Sequence, residues 1–165
     1  MARARNAVPA SQGDAKAVTV FVDTNIFVYA LDHREDRKRS HAADLWDALA
    51  LRDDSIVSAQ VASELANTLV RLWGDPKVAD EVVARLDLSV RILPVTPGTV
   101  RLALHGVARF GFSFYDAQVW ASAREWGASI VLSEDFTHGC VADGVRFVNP
   151  FAGGFELDEF LGSLD

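Results

Sequence analysis

The feature that most constrains this chain is a repeated alternation. Short aliphatic, β-branched runs are separated by stretches of helical length and period. "VTVFVD" (18–23), "SIVS" (55–58), "VRILPV" (90–95) and "SIVLS" (129–133) read as buried strands, and "GVRFVNP" (144–150) as a fifth, stopped by Pro150. Between them, "DRKRSHAADLWDALALR" puts Ala42, Leu45, Trp46 and Leu49 on one face, and "QVASELANTLVRLWG" aligns Val61, Leu65, Leu69 and Leu72. "DPKVADEVVARLDL" has Pro76 at a first helical position and carries Val78, Val82 and Leu86. "PGTVRLALHGVARFG" and "SFYDAQVWASAREWG" both stop at glycine. Strands alternating with such helices predict an α/β fold: a mostly parallel sheet of about five strands covered on both faces. Ligands of such sheets bind outside the carboxyl ends of the strands, where strand order reverses.

Length and composition agree. The chain has 165 residues, the size of one domain. Hydrophobic residues make up 50%, enough for a core. The single Cys140 forbids an intramolecular disulfide, fits a reducing compartment and reads as a structural residue. No apolar run nears 18 residues, and the leader "MARARNAVPASQGDAKA" lacks the apolar core of a secretory signal. A flexible leader over 1–17, a domain over 18–151 and a C-terminal tail over 152–165 are expected, in a cytoplasmic protein without a membrane span. The net charge of -7 argues against a protein that coats nucleic acid, but not against an enzyme with acid gathered in one pocket.

Four carboxylates stand in positions where charge is costly. Asp23 closes the first strand, and the plainest reading is a helix N-cap. Glu64, three residues after Val61 and four before Thr68, sits at the edge of an apolar stripe. Asp116 lies in a helical first turn, with Val119, Trp120 and Ala123 below it and Ser113 as a candidate cap. Asp135 follows the fourth strand in "LSEDF", beside Glu134. Each alone has a bland explanation. Together they imply gathered buried carboxylates, which must be protonated, paired or bound to a cation. A hard divalent ion with oxygen ligands answers that need and suits hydrolysis of a phosphodiester.

The order "VDTN", "SELANTL", "SFYDAQVWASA", "LSEDF", with the ending "GVRFVNPF", resembles the PIN-domain ribonucleases, and within them the VapC toxins of type II toxin–antitoxin modules. The resemblance covers roughly residues 18–151. It implies a three-layer α/β/α sandwich with Asp23, Glu64, Asp116 and Asp135 as catalytic and metal-binding acids. Thr24, Asn25 and Ser133 would orient those carboxylates. It also implies Mg²⁺, with Mn²⁺ as a substitute, cleavage of RNA by metal-activated water, a small antitoxin partner and a homodimer. Between Asp135 and Glu134, Asp135 is preferred, because adjacent side chains diverge in an extended segment.

Other features carry less. The run "HREDRKRSH" (33–41) reads first as the solvated start of a helix; it follows not far downstream of Asp23 and is also a candidate contributor to phosphate binding. Arg109 is a second candidate substrate contact at the rim. His33, His41, His105 and His138 lack zinc spacing. Trp46, Trp73, Trp120 and Trp126 fit core or dimer contacts better than base stacking. Two alternatives remain at this stage: a haloacid-dehalogenase-like phosphatase using Asp23, disfavoured because position 25 is Asn and not a second acid, and a non-catalytic PIN-like binding module.

Overall fold

The computed structural model describes residues 18–165; the leader expected over 1–17 lies outside them. Six strands form one sheet: β1 (Val20–Val22), β2 (Ser55–Ser58), β3 (Arg91–Leu93), β4 (Ile130–Leu132), β5 (Val141–Ala142) and β6 (Val145–Val148). Their order is β3-β2-β1-β4-β6-β5. All neighbours are parallel except β5 and β6, an antiparallel pair joined through Asp143 and Gly144. Two-residue β5 was not legible in advance, because "VA" has no periodicity to read. Asp143 at φ 46° and Gly144 at φ 86° give the two positive φ values of a tight hairpin turn.

The expected helices form close to their predicted limits: α2 (Asp36–Ala50), α3 (Ala59–Trp73), α4 (Pro76–Ser89), α5 (Pro97–Phe110) and α6 (Phe114–Glu125). Gly74 and Gly111 take left-handed conformations just past α3 and α5, closing both helices. The apolar run after Asp23 becomes α1 (Thr24–Leu31), with Ile26 and Phe27 buried. α1 packs on α2 and α3, α3 on α4, and α5 on α6, which also touches β2, β4 and β6. Right-handed crossovers place α1–α4 and α5–α6 on opposite faces. The result is an α/β sandwich.

Ala42, Leu45, Trp46 and Leu49 are buried as their spacing predicts, as are Val61, Leu65 and Leu69. Leu72 and Val78 are exposed, because nothing among the described residues covers that part of the α3–α4 hairpin. Trp46 and Trp120 are core residues, whereas Trp73 and Trp126 are partly exposed. Cys140 is exposed, which corrects its reading as a structural residue: it lies on the turn leading into β5, and only its backbone is engaged. Residues 152–165 are more than a tail. They form α7 (Leu157–Gly162), with Phe160 and Leu164 buried in the main core, and Arg52 pairs with both Asp54 and Asp165. Among the described residues, no helix is long and apolar enough to cross a membrane.

α5 and α6 pack tightly at Gly106. A Cβ added at Gly106 would lie 2.9 Å from Trp120 Cε3 and 3.3 Å from Ala117 Cβ. Trp120 cannot yield, because it is buried and its Nε1 donates to Ala142 O at 3.1 Å. Gly106→Val therefore overpacks this contact and is expected to destabilise the protein by about 2 kcal/mol. Urea unfolding measures this, and a variant as stable as the parent would show that α5 can move away freely.

Candidate active site

The order of the sheet reverses at β1: β2 and β3 extend to one side, β4 and β6 to the other. The carboxyl ends of β1 and β4 therefore form a switch point. Asp23 stands directly after β1, and Ser133 and Asp135 follow β4. Beside it opens a cleft of about 650 Å³, whose lining includes Asp23, Glu64, Asp116 and Asp135. Each acid comes from a different part of the fold: the β1–α1 junction, α3, α6 and the loop after β4.

Asp23 is a helix cap and more. Its Oδ1 accepts from Thr24 N–H at 2.7 Å, the capping bond. Its Oδ2 accepts from the Ser133 hydroxyl at 2.6 Å. Asn25 Nδ2 lies 3.4 Å from the same Oδ2, 3.1 Å from Ser133 Oγ and 3.1 Å from Asp135 Oδ2. One amide thus ties together the two acids at the switch point. Among the described residues no cationic side chain pairs with Asp23, which is 5% exposed. Burial pushes its carboxyl up to about 7; the Ser133 and Thr24 hydrogen bonds oppose this, while the charges of Asp135 and Glu64 reinforce it.

Glu64 is held at both oxygens. Thr24 Oγ1 donates to Oε2 at 2.9 Å, and Gln60 Nε2 to Oε1 at 2.8 Å. Asp116 accepts from the Ser113 hydroxyl at 2.6 Å, and Ser113 also caps α6. Glu134 turns away from this group. It accepts from Tyr29 OH and, at 2.8 Å, from Lys38 Nζ, and Lys38 lies 4.2 Å over the Tyr29 ring. Its adjacent position to Asp135 in an extended segment explains the divergence.

Arg109 is not among the residues lining the cleft; it pairs with Asp143 at 3.3 Å, beside Arg124. Among the described residues, the one basic side chain lining the cleft is Arg34, from the run 33–41. Its Nε and Nη2 grip Asp32, and this contact holds the Asp32 carboxyl down to about 2. Gln60 and Gln118, unremarked in the sequence, are also buried at the site. Nothing in their local spacing marks them, because their role depends on α3 meeting α6.

The donor set fits a hard divalent cation. Carboxylate oxygens outnumber cations around the cleft, and Asn25 Oδ1 is buried without a hydrogen-bond partner, so the site has acceptors in surplus. Among the described residues, no three acidic, imidazole or thiol groups converge closely enough to enclose an ion by themselves. An ion held here would therefore complete its coordination with water or substrate oxygens.

The elevated carboxyl of Asp23 sets a pH dependence in metal-free protein. Between about pH 4 and 7 the folded state holds a proton that the unfolded state has released, so stability falls as pH rises through this window. Asn mimics the protonated acid. Asp23→Asn is therefore expected to be more stable than the parent at pH 8, by roughly 1–4 kcal/mol, with the gap closing toward pH 4. Chemical denaturation with chelator present at both pH values checks the sign.

The PIN domain family model matches residues 20–139. No curated protein matches the chain by sequence. Among solved structures, it is similar to VapC20 of Mycobacterium tuberculosis, described as a sarcin–ricin loop cleaving toxin, with 26% identity and a TM-score of 0.57 over 68% of this chain and 87% of that one. A toxin–antitoxin complex from Klebsiella pneumoniae aligns with 16% identity and a TM-score of 0.59, over 81% of this chain and 98% of the other. DNA-bound VapBC from Salmonella typhimurium gives the same identity and TM-score over 79% and 96%. The match spans most of the chain, including the elements that carry all four acids, and the protein belongs to the PIN-domain family.

Proposed function

We propose that this protein is a divalent-metal-dependent endoribonuclease and the toxin of a toxin–antitoxin pair. What supports this reading is that four carboxylates, from four separate parts of a PIN fold, line one open cleft at the switch point of the sheet. The similarity to VapC-type structures supports the toxin role and an antitoxin partner. Such a partner would cover the acidic cleft with a cationic side chain. We place the active protein in the cytoplasm, as a homodimer.

Asp23 and Asp116 are the direct ligands in this reading, with Mg²⁺ as the ion and Mn²⁺ as its substitute. The bound ion would activate water and neutralise charge developing on the scissile phosphate. Glu64 and Asp135 complete the acidic rim, and either can accept a proton from the attacking water. Thr24, Asn25 and Ser133 fix the carboxylates through the hydrogen bonds described above, so the acids need no reorganisation when RNA arrives. Because Asp23 favours its proton in the free protein, ion binding must displace that proton, and affinity for the ion rises with pH up to about 7.

Arg34, which lines the cleft, is the substrate contact in this reading. It stands on the exposed turn between α1 and α2, at the mouth of an otherwise acidic cleft. Exchanging Asp32 for a backbone phosphate keeps its fork paired.

Purified protein is expected to cleave RNA with Mg²⁺ or Mn²⁺ and to stop in chelator. Asp23→Asn and Asp116→Asn should each lose about 10²-fold or more in rate while remaining folded. Undiminished cleavage in both variants, or cleavage in chelator, overturns the assignment. Induced expression of the parent and of Asp23→Asn, with sequencing of RNA 5′ ends, identifies the target, and ribosomal RNA is the first to inspect. For Arg34→Ala, the expected result is a raised KM, a nearly unchanged kcat and a salt dependence shallower by about one charge. An unchanged salt slope removes Arg34 from the substrate path.

A further inference from the structure

Two neutral amides lie buried beside the acids, and the capping and packing of their helices do not require them. Gln60, in the first turn of α3, is 9% exposed, and Gln118, in the middle of α6, is 8% exposed. Gln118 Nε2 lies 2.5 Å from Gln60 Oε1. Gln60 Nε2 lies 2.8 Å from Glu64 Oε1 and 3.4 Å from the Tyr115 carbonyl. An amide without a partner would be costly at this depth, so each amide depends on the bonds the other provides.

We infer that Gln118 and Gln60 form a one-way amide relay that positions Glu64 for the cation, and that couples Glu64 on α3 to Asp116 on α6. The polarity of the relay follows from chemistry. An ionised Glu64 can only accept, so Gln60 must turn its Nε2 toward Glu64 and its Oε1 toward Gln118. Gln118 must then present its own Nε2. Each member holds the next in a single orientation, and bonds in such a chain strengthen one another. With Thr24 Oγ1 on the other oxygen, the Glu64 carboxylate is gripped from both sides and its remaining lone pairs are left for an ion. Gln118 stands two residues beyond Asp116 on the same helix. A shift of α6 relative to α3 therefore moves one acid and releases the other together. These residues position Glu64 and do not touch substrate.

The inference rests on the metal-dependent reading, and its test separates the two. Gln60→Met and Gln118→Met keep the volume and remove the amide. Each is expected to fold, to bind Mn²⁺ about tenfold more weakly by calorimetry, and to lose kcat on RNA with KM little changed. Because the relay is serial, Gln60→Met/Gln118→Met should bind Mn²⁺ no more weakly than Gln60→Met alone. Additive losses, as from two independent packing defects, overturn the inference, and so does parental affinity in Gln118→Met. A second measurement uses metal-free protein. Glu64→Gln should shift the NMR signals of the Gln118 side-chain amide, and Gln60→Met should abolish that response. An unresponsive Gln118 amide overturns the relay. If the parent protein binds no Mn²⁺, the metal-dependent reading fails, and the amide signals alone decide the relay.

Discussion

The burial of one carboxylate without a counter-charge organises this molecule. Asp23 lies at the end of the central strand, held by a hydroxyl, a backbone N–H and a side-chain amide, all neutral. Neutral donors lower the cost of an ionised acid but do not cancel it, and the carboxyl rises to about 7. The same three contacts fasten together α1, the loop after β4 and the central strand. The site and the middle of the fold are thus one structure.

Several residues hold two positions at once. Asp23 is a helix cap and the centre of the acidic group. Ser113 caps α6 and fixes Asp116. Thr24 begins α1 and orients Glu64 across to α3. Bland and functional readings of such residues do not compete, because the ends of helices at a switch point lie beside the ligand cleft. In this geometry a cap is already within reach of the chemistry. Capping bonds also give the acids rigid supports on regular elements rather than on loose loops.

Much of the fold was legible because it depends on local periodicity. The α2 face of Ala42, Leu45, Trp46 and Leu49 is buried as its spacing requires, and β2 runs over the expected residues. The failures share a cause. β5 is too short to show alternation, and it is held by the Asp143–Gly144 turn and by β6. α7 has little pattern in six residues, and forms because Phe160 and Leu164 find an opening in the core. Leu72 looked internal by period alone, but period says only which residues share a face and not whether anything covers it.

By itself, the sequence determined the alternation of strands and helices, the parallel sheet and the four acids with the order in which they occur, since hydrophobic period and local capping chemistry need no distant partner. Tertiary structure alone decided which neighbours joined them. It turned Glu134 toward Lys38 and Tyr29, drew Arg109 to Asp143, set Arg34 at the cleft mouth, and brought Gln118 from α6 against Gln60 on α3. Those contacts span up to 105 positions in the chain. Their partners are set by how helices cross a twisted sheet, which no local spacing records.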